Sequence, residues 1–306
     1  MTKGEIGFVG LGRMGFPMAR NLAGAGYRVH AHDVAAEALA RAGAVNGVVT
    51  HASAREVAGA SAVVFTALPN DAVVRETYLG PAGLLAGGRA GLVTCDCSTV
   101  SPGLTLEVHR AATGRGIHHL DTPMLGSTPQ AESGEIFFMV GGDEAQMAVI
   151  RPLLDVMGRL TMHVGPPGTG NRIKLLHNAL GAVNAVAVAE SLALCDAVGV
   201  DPRTYYAVVK NGGGMAYSTY FDRRVTRVVE GSYEPTFTLE LMLKDVALAT
   251  EMAGDLLGKL PVLRETLAAY VEGQRRGSGA EDFSAVTHVL EDRLGRRLFS
   301  NAGVRP

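Results

Sequence analysis

Lys174 and Asn178 stand four residues apart in Gly170-Asn171-Arg172-Ile173-Lys174-Leu175-Leu176-His177-Asn178, and the small residues Gly181 and Ala185 continue the spacing. In a helix starting near Asn171 these four positions share one face, because residues three and four apart are neighbours on a helix surface. A cation, an amide and two small side chains in line form a shallow polar groove. Hydride transfer to a carbonyl builds negative charge on its oxygen, which must be stabilised and then protonated. A partly desolvated lysine ammonium does both, since desolvation lowers its pKa toward neutrality. Taken alone, such a lysine reads as one that snorkels to solvent, with the asparagine a local hydrogen-bonder. Yet only five of the 28 basic residues are lysines. Arginine meets this chain's surface needs, so a lysine inside an apolar stretch stands out.

A second chemical signature opens the chain. Gly10-Leu11-Gly12-Arg13-Met14-Gly15 is a G-x-G-x-x-G turn directly after the apolar run Ile6–Val9. Its glycines permit a tight turn, close approach of a pyrophosphate and tight helix–sheet packing, and the next helix offers free N–H groups. Asp33 directly follows the second strand-like run, where an acid accepts hydrogen bonds from adenosine ribose hydroxyls. These seven residues predict dinucleotide binding. His32-Asp33-Val34-Ala35 offers a carboxylate and apolar side chains, with nothing to neutralise the extra phosphate of NADP unless His32 is protonated. NAD is expected rather than NADP.

Both signatures need a scaffold. The chain has 306 residues, 47% hydrophobic and 19% charged, with a net charge of −2. One large or two modest globular domains fit those figures, and no global charge draws the chain to nucleic acid or an anionic membrane. Ile6–Val9, Arg28–His32, Ala62–Thr66, Leu92–Cys95 and Ile117–Asp121 read as buried strands. Met14–Ala25, Val34–Arg41, Arg55–Gly59, Asp71–Tyr78 and Leu104–Thr113 read as the helices between them. That alternation predicts a parallel sheet covered on both faces, with Phe137–Val140 and Thr161–Val164 as further strands at its far edge. The breaker cluster Gly165–Gly170 ends the pattern, and long amphipathic helices come after it, one starting at Asp201-Pro202. The expected fold is α/β: a doubly wound (Rossmann) parallel sheet over residues 1–165, then an all-helical domain over 166–306 entered by a long helix from about residue 170.

Other features narrow the setting. The most apolar stretch, Ala179–Val198, is interrupted by Asn184, Glu190, Ser191 and Asp196, so no bilayer span is expected. Residues 1–5 run into the first strand without a secretory signal, and Cys95, Cys97 and Cys195 are too few for a disulfide framework. A reducing, cytoplasmic setting is expected. His30 and His32 alternate on a strand and His118-His119 are adjacent, without metal-ligand spacing, so they read as packing or surface residues and no metal is expected. The last few residues read as disordered.

Four segments together resemble the β-hydroxyacid dehydrogenase family, typified by 3-hydroxyisobutyrate dehydrogenase. They are the fingerprint Gly7–Ala19, the turn Asp96-Cys97-Ser98-Thr99-Val100-Ser101-Pro102, the segment Gly170–Asn178, and Phe237 with Leu241-Met242-Leu243-Lys244-Asp245. The resemblance implies a small carboxylate substrate, catalysis by Lys174 with Asn178, and a nicotinamide-side or substrate role for Ser98 and Thr99. It also implies an adenosine-side contact at Leu68-Pro69, a cofactor-side contact at Lys244, and assembly as a homodimer or homotetramer. Turn hydrogen bonds would also explain Ser98 and Thr99, a strand-ending turn Leu68-Pro69-Asn70, and a local ion pair Lys244.

Two segments depart from that pattern. Where the family reads A-P-V-S-G-G, this chain has Thr122-Pro123-Met124-Leu125-Gly126-Ser127. Leu125 cannot donate a hydrogen bond, which leaves Gly126 and Ser127 to grip a substrate carboxylate with backbone N–H groups and one hydroxyl. His177 makes Lys174-Leu175-Leu176-His177-Asn178 similar to the K-x-x-H-N of 6-phosphogluconate dehydrogenases, which are oxidative decarboxylases. Those enzymes place a glutamate one turn further on, where this chain has Gly181. Imine reductases replace the lysine, and a non-catalytic NAD-binding protein would not need the Lys174–Asn178 pair.

Overall fold

In the computed structural model, which describes residues 3–298, the apolar run before the glycine turn forms β1 (Glu5–Val9). It lies between β2 (Arg28–His32) and β4 (Val63–Thr66), with β3 (Val48–Thr50) beyond β2. On the other side come β5 (Val93–Asp96), β6 (His118–Asp121), β8 (Ile136–Gly141) and β7 (Met124–Leu125), and β9 (Gly158–Gly165) also pairs with β8. The strand order 3-2-1-4-5-6 is parallel throughout, and it reverses direction between β1 and β4. Ligands bind in such sheets at the carboxyl edge beside that reversal. The far edge departs from the all-parallel expectation, since β8 runs antiparallel to β6 and β7.

β4 shows why these runs become central strands. All four residues of Val63-Val64-Phe65-Thr66 are 5% exposed or less, so both faces are covered and no polar alternation is needed. The covering helices are α1 (Gly15–Gly24), α2 (Ala36–Gly43), α3 (Ala54–Ala60), α4 (Asp71–Leu79), α5 (Leu84–Gly87), α6 (Pro102–Thr113), α7 (Thr128–Ser133) and α8 (Glu144–Met157). Helix α8, capped by Asp143, buries Met147, Ile150, Leu153, Leu154 and Met157 along one face. Burial of each such side chain contributes about 2 kcal/mol.

After Gly165 the chain is helical: α9 (Thr169–Ala197), α10 (Pro202–Gly212), α11 (Thr219–Val229), α12 (Leu239–Ala253), α13 (Pro261–Arg275) and α14 (Thr287–Leu294), with short 3-10 turns between them. Asp201 caps α10 through the Thr204 amide, as Asp-Pro at a helix start should. The chain divides into two compact units, Met1–Lys174 and Leu175–Pro306, so the division falls inside α9. The second unit has its own core, in which Leu239, Met242 and Val246 of α12 pack with Ala269 and Tyr270 of α13. One expectation needs correction. Thr169–Ala197 is long and apolar enough to cross a membrane, by length and composition only, and part of it is buried inside the protein. Asn184, Glu190 and Ser191 dilute that apolar average without breaking it. The reading of the last few residues as disordered falls on 299–306, outside the described residues.

Candidate active site

The parallel strands bring most of the expected cofactor residues to one edge. The glycine turn comes after β1, Asp33 after β2, Leu68-Pro69 after β4, and Ser98-Thr99 after β5. Within the turn the three glycines have different reasons to be there. Gly10 has φ +91°, and a Cβ on it would lie 2.3 Å from the Ala67 carbonyl oxygen. A Cβ on Gly15 would lie 1.8 Å from the Gly10 carbonyl oxygen. Gly12 is exposed, and a Cβ there would meet nothing within 4 Å. Gly10 and Gly15 therefore close the turn against the sheet, while Gly12 leaves open ground before the N-terminus of α1, where no side chain caps the free amides. That cradle fits a pyrophosphate. Arg13 is exposed and Met14 half-buried beside it, whereas the Leu11 side chain is fully buried.

Asp33 is tied into the same turn. Its Oδ2 accepts the Leu11 N–H at 2.6 Å and its Oδ1 the Ala35 N–H at 2.8 Å. A carboxylate has about four acceptor positions, so ribose hydroxyls can still donate to it. Arg41 was missed from the sequence. Its Nη2 donates to the Leu11 carbonyl at 2.7 Å while its guanidinium stacks 4.2 Å above the Phe16 ring. An arginine therefore does lie beside the turn, contrary to the expectation of nothing cationic nearby, but it is engaged by Leu11 and Phe16.

In the β5 turn the hydrogen bonds of Ser98 follow the second of its two readings, bonding within the turn. Ser98 is 3% exposed; its Oγ accepts the Leu68 N–H at 2.9 Å, and its own N–H donates to Asp96 Oδ1 at 3.0 Å. Ser98 thus joins two strand ends, and its hydroxyl is not presented to a substrate. Asp96 also accepts from Thr66 Oγ1 at 2.7 Å, and burial pushes its carboxyl above the usual range. Thr99 is the half-buried member of the turn.

Ser127 needs a similar correction. Its N–H and its hydroxyl both donate to Gln130 Oε1, at 2.9 and 2.5 Å. Neither donor is then directed at a substrate, and Gly126, exposed with φ +144°, remains the open part of that turn. Serine with glutamine three residues later is a capping-box signature, which the sequence did contain. Leu125 sits in β7 opposite Phe137, half-buried.

Lys174 and Asn178 both lie in α9, four residues apart as expected, and Lys174 is half-buried. In the second unit Asn178 Nδ2 donates to Asp245 Oδ2 at 2.5 Å. Because a carboxylate only accepts, this contact fixes which end of the amide is nitrogen. Asn178 Oδ1 then faces His177 Nδ1 at 3.0 Å, so His177 is the donor there. Asp245 is 1% exposed, and Lys244 Nζ lies 2.8 Å from its Oδ1. Lys244, expected on the cofactor side, is therefore also an ion-pair partner of the acid that orients Asn178.

Elsewhere the histidines are more engaged than expected. His30 Nε2 lies 2.5 Å from Glu5 Oε2 and its Nδ1 lies 2.8 Å from His51 Nε2. Among the described residues no group of three or more His, Cys, Asp or Glu side chains is arranged to hold a metal ion.

Comparison with known proteins covers nearly all of the chain. The family described as the NAD binding domain of 6-phosphogluconate dehydrogenase matches residues 5–165. The family described as NAD-binding of NADP-dependent 3-hydroxyisobutyrate dehydrogenase matches residues 168–290. The 2-(hydroxymethyl)glutarate dehydrogenase of Eubacterium barkeri is 36% identical over 95% of this chain and 96% of its own length. The NAD-dependent L-serine dehydrogenase of Pseudomonas aeruginosa is 34% identical over 95% of this chain and 99% of its own. The solved structure of Mycobacterium tuberculosis 3-hydroxyisobutyrate dehydrogenase with L-serine superposes with a TM-score of 0.86, at 32% identity, over 95% of this chain and 99% of the other.

Proposed function

The chain belongs to the β-hydroxyacid dehydrogenase family, and from that premise we propose which residues run its reaction and on what kind of acid. The protein is an NAD-dependent oxidoreductase of small hydroxy acids and their semialdehydes. NAD, when bound, supplies the hydride acceptor. In oxidation the neutral Lys174 amine takes the hydroxyl proton as hydride leaves the carbon. In reduction the ammonium stabilises the carbonyl oxygen and then protonates it. Asn178, one turn along the same helix, orients the reacting end of the substrate. The observation that carries this reading is the preset Asn178 amide, held from both ends by Asp245 and His177 on the helix that bears Lys174.

A substrate carboxylate needs several or charge-assisted hydrogen bonds once water is excluded. We assign it to Thr99 and the Gly126 backbone, with Leu125 as an apolar wall. That wall favours acids with an aliphatic substituent or longer carbon spacer over the small, fully hydroxylated tartronate semialdehyde type. The test is nicotinamide absorbance with a panel of hydroxy acids and semialdehydes. Highest kcat/KM on the tartronate pair would refute the wall. No turnover on any member would refute the residue roles.

We further propose a homo-oligomer in a reducing cytoplasm. Leu176, Leu180 and Leu194 are exposed apolar residues along α9, with exposed Val198 directly after its end, and all three cysteines are free and buried. Light scattering giving a monomer at micromolar concentration would contradict the first part, and export of a tagged chain the second.

A further inference from the structure

Asn171, in the first turn of the helix that carries Lys174, and Asp121, at the end of β6, take no part in the reaction as described, yet both are fully buried polar residues. The Asp121 carboxylate accepts the Gly168 N–H on Oδ1 at 2.7 Å and the Asn171 N–H on Oδ2 at 2.9 Å. The amide just before α9 and one in its first turn are thereby held by a carboxylate on the end of β6. Two glycines make room for it: a Cβ on Gly141 would lie 2.5 Å from Asp121 Oδ1, and one on Gly170 would lie 2.8 Å from Oδ2. Burial raises the Asp121 carboxyl above its usual range, while the amides of Gly168, Asn171 and Gly170 pull it back down.

The Asn171 side chain points the other way. Its Oδ1 accepts the Val100 N–H at 3.2 Å, and its Nδ2 donates to Thr105 Oγ1 at 3.2 Å. Thr105 Oγ1 in turn donates to the Ser101 carbonyl at 3.3 Å, so its lone pair is the part offered to Asn171. One amide therefore spans from the first turn of α9 to the turn Ser98-Thr99-Val100 and the first turn of α6. Asn171 is one residue short of a full helical turn before Lys174, and Val100 comes directly after Thr99.

We infer that Asn171 is a positioning residue for the dehydrogenase reaction, tying the helix that presents Lys174 to the turn that presents Thr99. Asp121 sets the register of that helix from below. The inference rests on the roles given above to Lys174 and Thr99. Its physical logic is that hydride and proton transfer need near-contact geometry, and misplacement by about 1 Å costs on the order of a hundredfold. A two-ended amide has no slack to absorb such a shift.

The test compares Asn171→Ala, Thr105→Val and Thr105→Ser, each normalised to its measured NADH-binding sites. Asn171→Ala is expected to lower kcat by roughly ten- to a hundredfold and to raise the primary deuterium isotope effect on kcat, with the NADH Kd unchanged. Thr105→Val should lower kcat several-fold, whereas Thr105→Ser, which keeps the hydroxyl, should restore it. A merely structural role would lower Tm and yield but leave kcat per NADH site and the isotope effect unmoved, and that result overturns the inference. If Asn171→Ala does not fold, equal kcat for the two Thr105 variants overturns it instead. Lys174→Ala in the same assay separates the two levels. Normal turnover there removes the role of Lys174, while normal Asn171→Ala beside inactive Lys174→Ala removes only the positioning role.

Discussion

Leu11 donates its backbone N–H to Asp33 Oδ2 at 2.6 Å, across 22 residues of chain. The acid we assign to the ribose thus also holds the turn we assign to the pyrophosphate. Asp33→Asn keeps an acceptor for that amide and removes the charge that repels a 2′-phosphate. The expected outcome is a narrowed preference for NAD over NADP, with a several-fold higher KM for NAD because the turn is held less firmly. The ratio of kcat/KM for the two cofactors measures this. An unchanged ratio would mean that Asp33 serves the turn alone.

Lys174→Ala should lower kcat on the order of a hundredfold or more, as removal of a general acid or oxyanion stabiliser does. NADH affinity should stay near wild type, because the residues we assign to the cofactor lie in the β1, β2 and β4 turns. Near-normal turnover would make Lys174 structural.

Asp245→Asn tests the other half of the pair. Its amide can still accept from Asn178 but no longer demands a donor, so the Asn178 side chain loses its fixed orientation. We expect kcat to fall roughly tenfold, the scale of one hydrogen bond to a charged group, with little change in Tm. Steady-state kinetics beside a thermal melt will show it; a loss of Tm without a loss of kcat would contradict it.

His119 predicts a pH effect. It is 3% exposed, and burial lowers its pKa from 6.5 to about 3. Its Nδ1 meets Thr94 Oγ1 at 3.0 Å, and that hydroxyl donates onward to the His118 carbonyl, so the neutral ring is the donor. A depressed folded-state pKa contributes stability that is complete above the unfolded value, about 6.5, and is lost as pH falls toward 3. His119→Gln should therefore flatten the fall of Tm with acid over that window by the equivalent of about one proton. Buried Asp96 and Asp121 act with the opposite sign, since burial raises both, and they cancel in the comparison. Parallel Tm curves for wild type and variant would show that His119 does not titrate as described.

Ser127→Ala should lower stability by about 1 kcal/mol, the worth of a helix cap, and leave KM for the best acid within about twofold. Both Ser127 donors are engaged by Gln130. A tenfold rise in KM would show instead that Gln130 releases them to substrate. Leu125→Ser should move preference toward smaller, more polar acids on the same substrate panel.

Elements set by local pattern were legible in the sequence. β1, β2, β4, β5 and β6 are short strands that alternate regularly with helices along the chain, and the glycine turn needs no partner to be recognised. Elements that depend on distant partners were not. β3 is three residues long, too short for periodicity, and exists because it pairs with β2. Helix α8 contains Pro152, which argues against a helix interior locally, yet its apolar face is buried as a whole. The same holds at the site. Lys174 and Asn178 were legible because four residues separate them. Asp245 orients Asn178 from 67 residues away, and Arg41 reaches the Leu11 carbonyl across 30. Nothing in the local sequence of either announces such a contact.

Gly12 separates two selective pressures that usually coincide. Gly10 and Gly15 would each collide with backbone if substituted, so their loss would be felt by the fold itself. At Gly12 a methyl group enters empty space, and replacing glycine there stiffens the unfolded chain. A Gly12→Ala protein should express, melt and purify like its parent, or slightly better, while holding a methyl group in the open ground we assign to the pyrophosphate. Screens for stability would favour it, and screens for turnover would reject it.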